Sequence, residues 1–153
     1  MTVPETVFLD LEDLVEIAEI ALGGRVPVRD YGLLESAAAR PRTSVFGRDA
    51  YPTVLGKAAA LCESLVRNHA LVDGNKRLGW LATWVFCDLN GVTLSPSQDE
   101  AVDLIVDIAE GKLPSVDEIV ARLHQLTSLA SEGSFPDARL SPDASPELYR
   151  DPD

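Results

Sequence analysis

A short segment, His69–Arg77, brings together the residue types that phosphate chemistry requires. His69 can accept a proton near neutral pH, which suits it to activate a hydroxyl group. Asp73 offers the kind of oxygen ligand that Mg²⁺ prefers when substrate phosphates supply further ligands. Lys76 provides a point charge for phosphate, and Arg77 provides a planar fork that can grip two oxygens. These residues predict a site that binds a phosphate-bearing group and activates a hydroxyl beside it.

The backbone around Gly74 also favours an anion site. Glycine adopts conformations closed to other residues, so neighbouring amides can turn inward as an anion nest. Asn75 tolerates the same conformations and adds an amide donor. A strongly apolar helix is expected from Leu78, and a helix start directs unpaired N–H groups and the positive end of the helix dipole at anions. Taken singly, each of these residues is more often structural, and it is their combination that indicates function.

Helical spacing of apolar residues predicts an all-α bundle of about six helices. The expected helices lie near residues 11–22, 32–39, 53–68, 76–89, 95–111 and 115–126. Ser95 and Ser115 have capping-box spacing and are therefore expected to start the last two helices. The fourth helix is apolar almost all round, as in a buried central helix, so Trp80 and Trp84 are assigned to the core.

Composition restricts the class of protein. The chain has 153 residues, an apolar fraction of 46% and a net charge of −12. One domain with a substantial core is expected, and the negative charge argues against nucleic acid as a direct partner. Cys62 and Cys87 are interpreted as buried, reduced thiols. No signal peptide is recognised and the longest apolar run is too short to cross a bilayer, so a cytoplasmic protein without a membrane partner is expected.

The order of residues in His69–Arg77 resembles the motif of the Fic/Doc family. In that motif, His is followed by an apolar or aromatic residue, an acid, a small residue, Asn, Gly or Lys, and Arg. Residues 29–41 resemble the family's early helix and its exit, and residues 88–91 resemble the end of the helix after the motif. The resemblance implies a Fic/Doc-type catalytic domain over residues 1–126. Residues 127–153 are rich in Ser, Pro and Asp and are expected to form a disordered acidic tail.

Two positions resemble the Doc (death-on-curing) branch of the family rather than its adenylylating branch. Lys76 stands where the adenylylating branch has Gly, and Trp80 stands where it has a second Arg. The resemblance implies a toxin-type kinase that uses ATP and Mg²⁺ to phosphorylate a Thr or Ser of a translation factor, elongation factor Tu in the type member. It also implies a small Phd-like antitoxin as partner. The alternatives are an adenylyltransferase of the same fold and an inactive domain that only binds a peptide or antitoxin.

The resemblance assigns roles within the motif. His69 would take the proton of the target hydroxyl, Asp73 would hold Mg²⁺, and Lys76 and Arg77 would stabilise charge on the transferred and leaving groups. Further nucleotide and phosphate contacts are expected from Arg67, Gly74 and Asn75.

Segments outside the motif carry further expectations. A flap, in the form of a short β-hairpin, is expected to clamp the target by strand addition through Ser44, Val45 and Phe46. Leu71 stands where most members of the family have Phe, and Leu is expected to pin the loop less firmly than Phe does. Gly74 replaces Ala of the type member, for which little consequence is expected. Residues 128–133 fit a pattern by which some members place an inhibitory Glu, here Glu132.

Overall fold

Six α-helices make up most of the part of the chain that the computed structural model describes, residues 4–128. They span Leu11–Leu22 (α1), Tyr31–Ala39 (α2), Val54–Arg67 (α3), Asn75–Leu89 (α4), Gln98–Ala109 (α5) and Val116–Gln125 (α6). A 3₁₀ turn, Arg40–Arg42, and an antiparallel hairpin of β1 (Ser44–Val45) and β2 (Arg48–Asp49) connect α2 to α3. The predicted all-α bundle with a small hairpin is confirmed. Glu132 and the tail from residue 129 lie outside the described residues.

Short polar side chains fix most of the helix starts. Asp10 accepts a hydrogen bond from the N–H of Asp13, whose side chain accepts one in return, and Ser115 and Glu118 form the same capping box at α6. At α3, the Thr53 side chain accepts a hydrogen bond from the N–H of Gly56, without the return bond of a capping box. Such caps satisfy N–H groups that have no partner inside the helix. Because these signals are local, the sequence predicted the starts of α1, α3 and α6 to within a residue.

The expected start of α5 at Ser95 is wrong. The cap is Ser97, which accepts a hydrogen bond from the N–H of Glu100. Ser95 instead donates its N–H to the carbonyl of Leu126 at 2.8 Å, beside a bridge between Leu94 and Thr127. Two start sites satisfy the local spacing, and this pairing with a residue 31 positions along the chain holds Ser95 outside the helix.

The two most buried helices, α3 and α4, form the centre of the bundle. Trp80 and Trp84 are buried, as predicted, and the indole N–H of Trp84 donates to the carbonyl of Leu94 at 3.1 Å. Gly79 lets the helices approach closely, because a Cβ there would lie 2.6 Å from a methyl of Val66. The loop that carries the motif joins these two helices, so its ends are fixed by the core.

The two cysteines are free thiols within this core, as predicted. Burial raises the pKa of Cys62 to about 12, and it does the same for Cys87. Both thiols are therefore protonated at neutral pH and unsuited to nucleophilic chemistry.

Glu63, within α3, ties this helix to the 3₁₀ turn that precedes the hairpin. It is 9% exposed and pairs with Arg40 at 2.7 Å and with Arg67 at 2.8 Å. Burial opposes the charge of Arg40, but hydrogen bonds with Glu63 and Tyr51 outweigh it and raise the pKa of the guanidinium. A buried carboxylate with two cationic partners is costly to break, so this network fixes the frame around the site.

Within residues 4–128, no helix combines the length and apolar character needed to cross a membrane.

Candidate active site

His69 stands at the start of the motif loop with a left-handed backbone. It follows Asn68, the C-terminal cap of α3, and has φ of 54°. For a residue with a Cβ this conformation costs about 1–2 kcal/mol, so neighbouring groups must hold it. The carbonyl of His69 accepts a hydrogen bond from the guanidinium of Arg29. Arg29 belongs to residues 25–30, which join α1 to α2 and are called the strap below.

Backbone hydrogen bonds join the strap to the motif loop. The carbonyl of Ala70 accepts from the N–H groups of both Arg29 and Asp30, at 2.8 and 3.0 Å. The N–H of Val72 donates to the carbonyl of Pro27 at 3.2 Å. The loop is thereby paired along one edge, as a short strand would be. Nothing in the local sequence predicted this pairing, because its partners lie about 40 residues apart.

Asn75 holds the loop from its other side. Its side-chain oxygen accepts from the N–H of Leu71, and its side-chain nitrogen donates to the Leu71 carbonyl, both at 3.0 Å. Leu71 is 1% exposed and forms a β-bridge with Val28 of the strap. These bonds hold the loop through the backbone of Leu71, and the weaker hold expected from Leu in place of Phe stays a prediction. Since both ends of the Asn75 amide are in use, its side chain positions the loop, and its predicted contact with phosphate stays a prediction.

Gly74 caps the start of α4 with φ of 93°. A Cβ built there would lie 2.5 Å from a methyl carbon of Leu22, at the end of α1. Little consequence was expected from Gly in place of Ala here, but in this chain an Ala would meet Leu22 and would have to adopt a strained φ. Gly74 adopts the positive φ that an anion nest can use, and its predicted contact with phosphate stays a prediction.

A cavity of about 420 Å³ opens beside the loop. His69, Asp73, Asn75 and Lys76 line one wall, so the structure brings these predicted site residues together. The other wall is built by α5 and its end, where Glu110 enters the lining. Glu110 was not among the predicted site residues, because helix spacing gives no signal for it. The remaining lining residues are apolar: Val66, Val72, Val106 and Ala109.

Asp73 and Arg77 lie at the edge of this site. Their nearest charged atoms are 3.8 Å apart, and the Asp73 side chain is 65% exposed. In residues 4–128 no group of three or more His, Cys, Asp or Glu is arranged to hold a metal ion. One open carboxylate fits Mg²⁺ only if substrate phosphates complete its coordination, as this ion commonly allows.

Arg77 carries an unmet hydrogen-bond donor. Its side chain is 14% exposed, and its buried Nε has no hydrogen-bond partner within the described part of the chain. Leaving such a donor unpaired costs about 1–3 kcal/mol, so an acceptor supplied by water or a ligand would stabilise it. Arg77 does not line the 420 Å³ cavity, although it is one residue from Lys76, which does.

Backbone carbonyls at the end of α5 and just after it engage the side chain of Arg67. Its guanidinium donates to the carbonyls of Ile108 and Leu113 at 3.0 and 2.8 Å, in addition to its pair with Glu63. These contacts brace α3 against the end of α5 and the segment that follows it. Arg67 is absent from the cavity lining, so its predicted contact with phosphate stays a prediction.

The flap is the hairpin predicted between α2 and α3, with Val45 paired to Arg48. Its base is anchored near the start of α3, where the buried ammonium of Lys57 meets the Asp49 carboxylate at 3.1 Å. At its tip, Phe46 is fully exposed and has φ of 52°. Ser44, Val45 and Phe46 do not line the cavity, and their role in target binding stays a prediction.

A helical bundle in which a His-containing loop leads into the central helix is the arrangement expected of the Fic/Doc family. Residues 8–87 match the sequence model of the Fic/DOC family. The chain belongs to the Fic/Doc family, as the motif predicted. It is 50% identical over 127 residues to the protein named Toxin Doc of Mycolicibacterium smegmatis (strain ATCC 700084 / mc(2)155), and the alignment covers 83% of this chain and 91% of that protein.

Proposed function

We propose that this chain is a Doc-type toxin that acts as an ATP-dependent protein kinase. Membership of the Fic/Doc family indicates a transferase of the Fic type, and similarity to a Doc toxin supports a toxin of a toxin–antitoxin pair. The choice of phosphoryl transfer rests on one observation, which is that Lys76 lines the same cavity as His69. A long cation there occupies space that an inner phosphate would need and offers its charge to the group being transferred.

The proposed reaction uses residues that the loop already holds. His69 accepts the proton of a Thr or Ser hydroxyl as the hydroxyl oxygen bonds to the γ-phosphorus of ATP. The bond between that phosphorus and the oxygen bridging to the β-phosphate breaks, and ADP leaves. Lys76 stabilises charge on the transferred group, and Arg77 stabilises charge on the leaving phosphates. Phosphoryl transfer depends mainly on such positioning and charge stabilisation, so a rigid loop suits it.

Asp73 is the residue that would hold Mg²⁺. Its exposed carboxylate is only loosely paired with Arg77, which leaves oxygen atoms for a metal ion. When bound there, Mg²⁺ would neutralise charge on the phosphates.

Elongation factor Tu is the proposed target, on the resemblance to the Doc branch. The experiment is the intact mass of purified elongation factor Tu after incubation with this chain, ATP and Mg²⁺. A gain of one phosphoryl group is expected, and none with the His69→Ala variant, whose melting temperature should match the parent because His69 is exposed. A gain of one adenylyl group would instead show the adenylyltransferase of the same fold. No gain with any candidate translation factor would favour a domain that only binds.

An apolar groove between α1 and α4 supports the proposal of an antitoxin partner. It has a volume of about 520 Å³, and Val7, Ile20 and Leu89, each nearly half exposed, line it. Asp13 and Glu16 lie on the same lining. The chemistry fits an amphipathic helix of the antitoxin with an apolar stripe flanked by Lys or Arg.

The groove can be tested separately from the catalytic site. Ile20→Asp should weaken binding of the antitoxin encoded beside this chain and leave transfer to the target unchanged. The matched control is Tyr31→Asp, which places the same charge on an exposed residue outside this groove. Equal affinity of the Ile20→Asp variant and the parent would place the antitoxin elsewhere.

A further inference from the structure

The strap contacts the loop through one side chain as well as through its backbone. The guanidinium of Arg29 donates to the carbonyl of His69, and the N–H of Arg29 donates to the carbonyl of the next residue, Ala70, at 2.8 Å. Arg29 thus donates hydrogen bonds to two successive carbonyls. The ψ angle of His69 sets the direction of the first carbonyl, and the φ and ψ angles of Ala70 lie between the two, so the contacts limit rotation there.

The backbone of His69 needs such a restraint. With φ of 54°, it occupies a region that a non-glycine residue leaves readily when nothing opposes rotation. Rotation of this backbone would swing the imidazole away from its place in the cavity wall. The Arg29 side chain is the strap group best placed to prevent this, because it reaches the carbonyl of His69 itself.

The strap is in turn fixed at both ends. Gly23 closes α1 just before it, and Asp30 accepts a hydrogen bond from the N–H of Leu33 as the cap of α2. Because both ends are held by helices, Arg29 presents its guanidinium from a defined position. A long, flexible side chain on a mobile loop would give no such restraint.

We propose that Arg29 is a positioning residue that holds His69 in the orientation required for proton transfer. The inference rests on the proposed role of His69 as the base, although it does not depend on which part of the nucleotide is transferred. It assigns Arg29 to the orientation of the catalytic group and not to contact with phosphate. Loss of its side chain should therefore affect the rate of the chemical step more than the affinity for ATP.

The experiment compares Arg29→Met and Arg29→Lys with the parent and with Arg25→Met, an exposed arginine of the same strap. Transfer to the target is followed by mass, whichever group the parent transfers. Arg29→Met should lower kcat by about 10- to 100-fold, as expected for a misplaced catalytic group, with KM for ATP within about twofold. Arg29→Lys should recover part of kcat because an ammonium can also donate to the carbonyl. Arg25→Met should match the parent.

A second measurement needs no activity. Amide hydrogen exchange of Val72, whose N–H bonds to the strap at 3.2 Å, should quicken in Arg29→Met and stay unchanged in Arg25→Met. A parent-like kcat together with parent-like exchange would overturn the inference. So would a large rise in KM for ATP with kcat unchanged, because that result would assign Arg29 to the nucleotide. If the parent transfers an adenylyl group, the proposed kinase fails while the Arg29 comparison still stands. If no target is modified, the hydrogen exchange of Val72 alone decides whether Arg29 restrains the loop.

Discussion

The motif loop and the flap lie on either side of α3 and differ in how firmly they are held. The loop, which follows the end of α3, is held by the strap along one edge and by the Asn75 amide along the other. The flap, which precedes α3, has only two residues in each strand, and all four are exposed. Its described ties to α3 are at the base, mainly through Lys57.

The strained backbone residues of the loop and the flap show the same contrast. Within residues 4–128, His69 and Phe46 are the two non-glycine residues with positive φ. At His69 the surrounding hydrogen bonds hold the strained backbone, whereas at Phe46 the side chain is fully exposed. Proton transfer needs a fixed geometry, but binding a protein segment tolerates local movement. The fold thus holds the proposed base firmly and leaves the tip of the flap exposed.

Among substitutions in the loop, Gly74→Ala should have the largest effect. The new methyl group would meet Leu22 and would require Ala to adopt φ near 93°. The strained backbone and the overpacking together should cost about 2–4 kcal/mol of unfolding free energy. Displacement of the loop should lower kcat by about 100-fold. Chemical denaturation and the mass assay measure the two effects.

Gly91→Ala is the matched control for that variant. Gly91 has φ of 82°, and a Cβ there would contact nothing within 4 Å. It should lose only the cost of the strained backbone, about 1–2 kcal/mol, and keep its kcat. Leu22→Ala added to Gly74→Ala should restore part of kcat by removing the clash. Equal losses in the Gly74 and Gly91 variants would show that Leu22 does not support the loop.

The core behind the loop should respond to alkaline pH through its two thiols. Burial raises the pKa values of Cys62 and Cys87 to about 12, whereas an unfolded cysteine titrates near 8.5. Between these values the unfolded chain binds fewer protons, so the free energy of unfolding falls as pH rises. The slope should approach about 1.4 kcal/mol per pH unit for each thiol. Denaturant unfolding at several pH values from 8 to 11 measures it.

The Cys62→Ala/Cys87→Ala double variant is the reference for this slope. It should be less stable at pH 8 because of the lost packing, yet lose less stability per pH unit than the parent. Parallel slopes would mean that the thiols of the native protein reach solvent. Such a result would weaken the contrast between a rigid core and an exposed flap.

Local signals allowed much of this fold to be predicted. The apolar stripe and cap of α1, the apolar character of α4 and the Ser115 capping box each depend on residues within a few positions of one another. The motif itself is also local, so the sequence alone was enough to group His69, Asp73 and Lys76. The structure brings these three together in one cavity.

Long-range pairings were beyond such reasoning. The contact of Arg29 with His69 and the packing of Leu22 against Gly74 join segments that are far apart in sequence. The start of α5 was misplaced for the same reason, since Ser95 is paired with Leu126. Charged residues were a further difficulty. Nothing in the local pattern around Lys57 indicated that an ammonium would be buried there.

Lys57→Met tests whether the base of the flap matters to recognition. The ammonium also donates to the carbonyl of Tyr51 at 2.6 Å, so its loss should free the hairpin from α3. A methionine fills the same space but leaves two acceptors without their donor, so the unfolding free energy should fall by about 1–3 kcal/mol. KM for the protein target should rise about fivefold to tenfold, with KM for ATP unchanged. The control is Arg48→Met on the exposed strand β2, and an unaltered target KM for Lys57→Met would count against a fixed flap.

The smallest expected effect concerns the ring at the flap tip. Phe46 and Gly47 both have positive φ, as in a type I′ turn, for which Asn-Gly is the preferred pair. Phe46→Asn should therefore leave the hairpin equally stable or slightly more stable while removing the exposed ring. If that ring contacts the target, KM for the target should rise about threefold, and kcat and KM for ATP should stay at parent values. An unchanged target KM would show that the flap recognises the target through its backbone alone. A fall in kcat would show instead that the flap helps to position the acceptor hydroxyl, and the division between a rigid loop and an adaptable flap would then be too sharp.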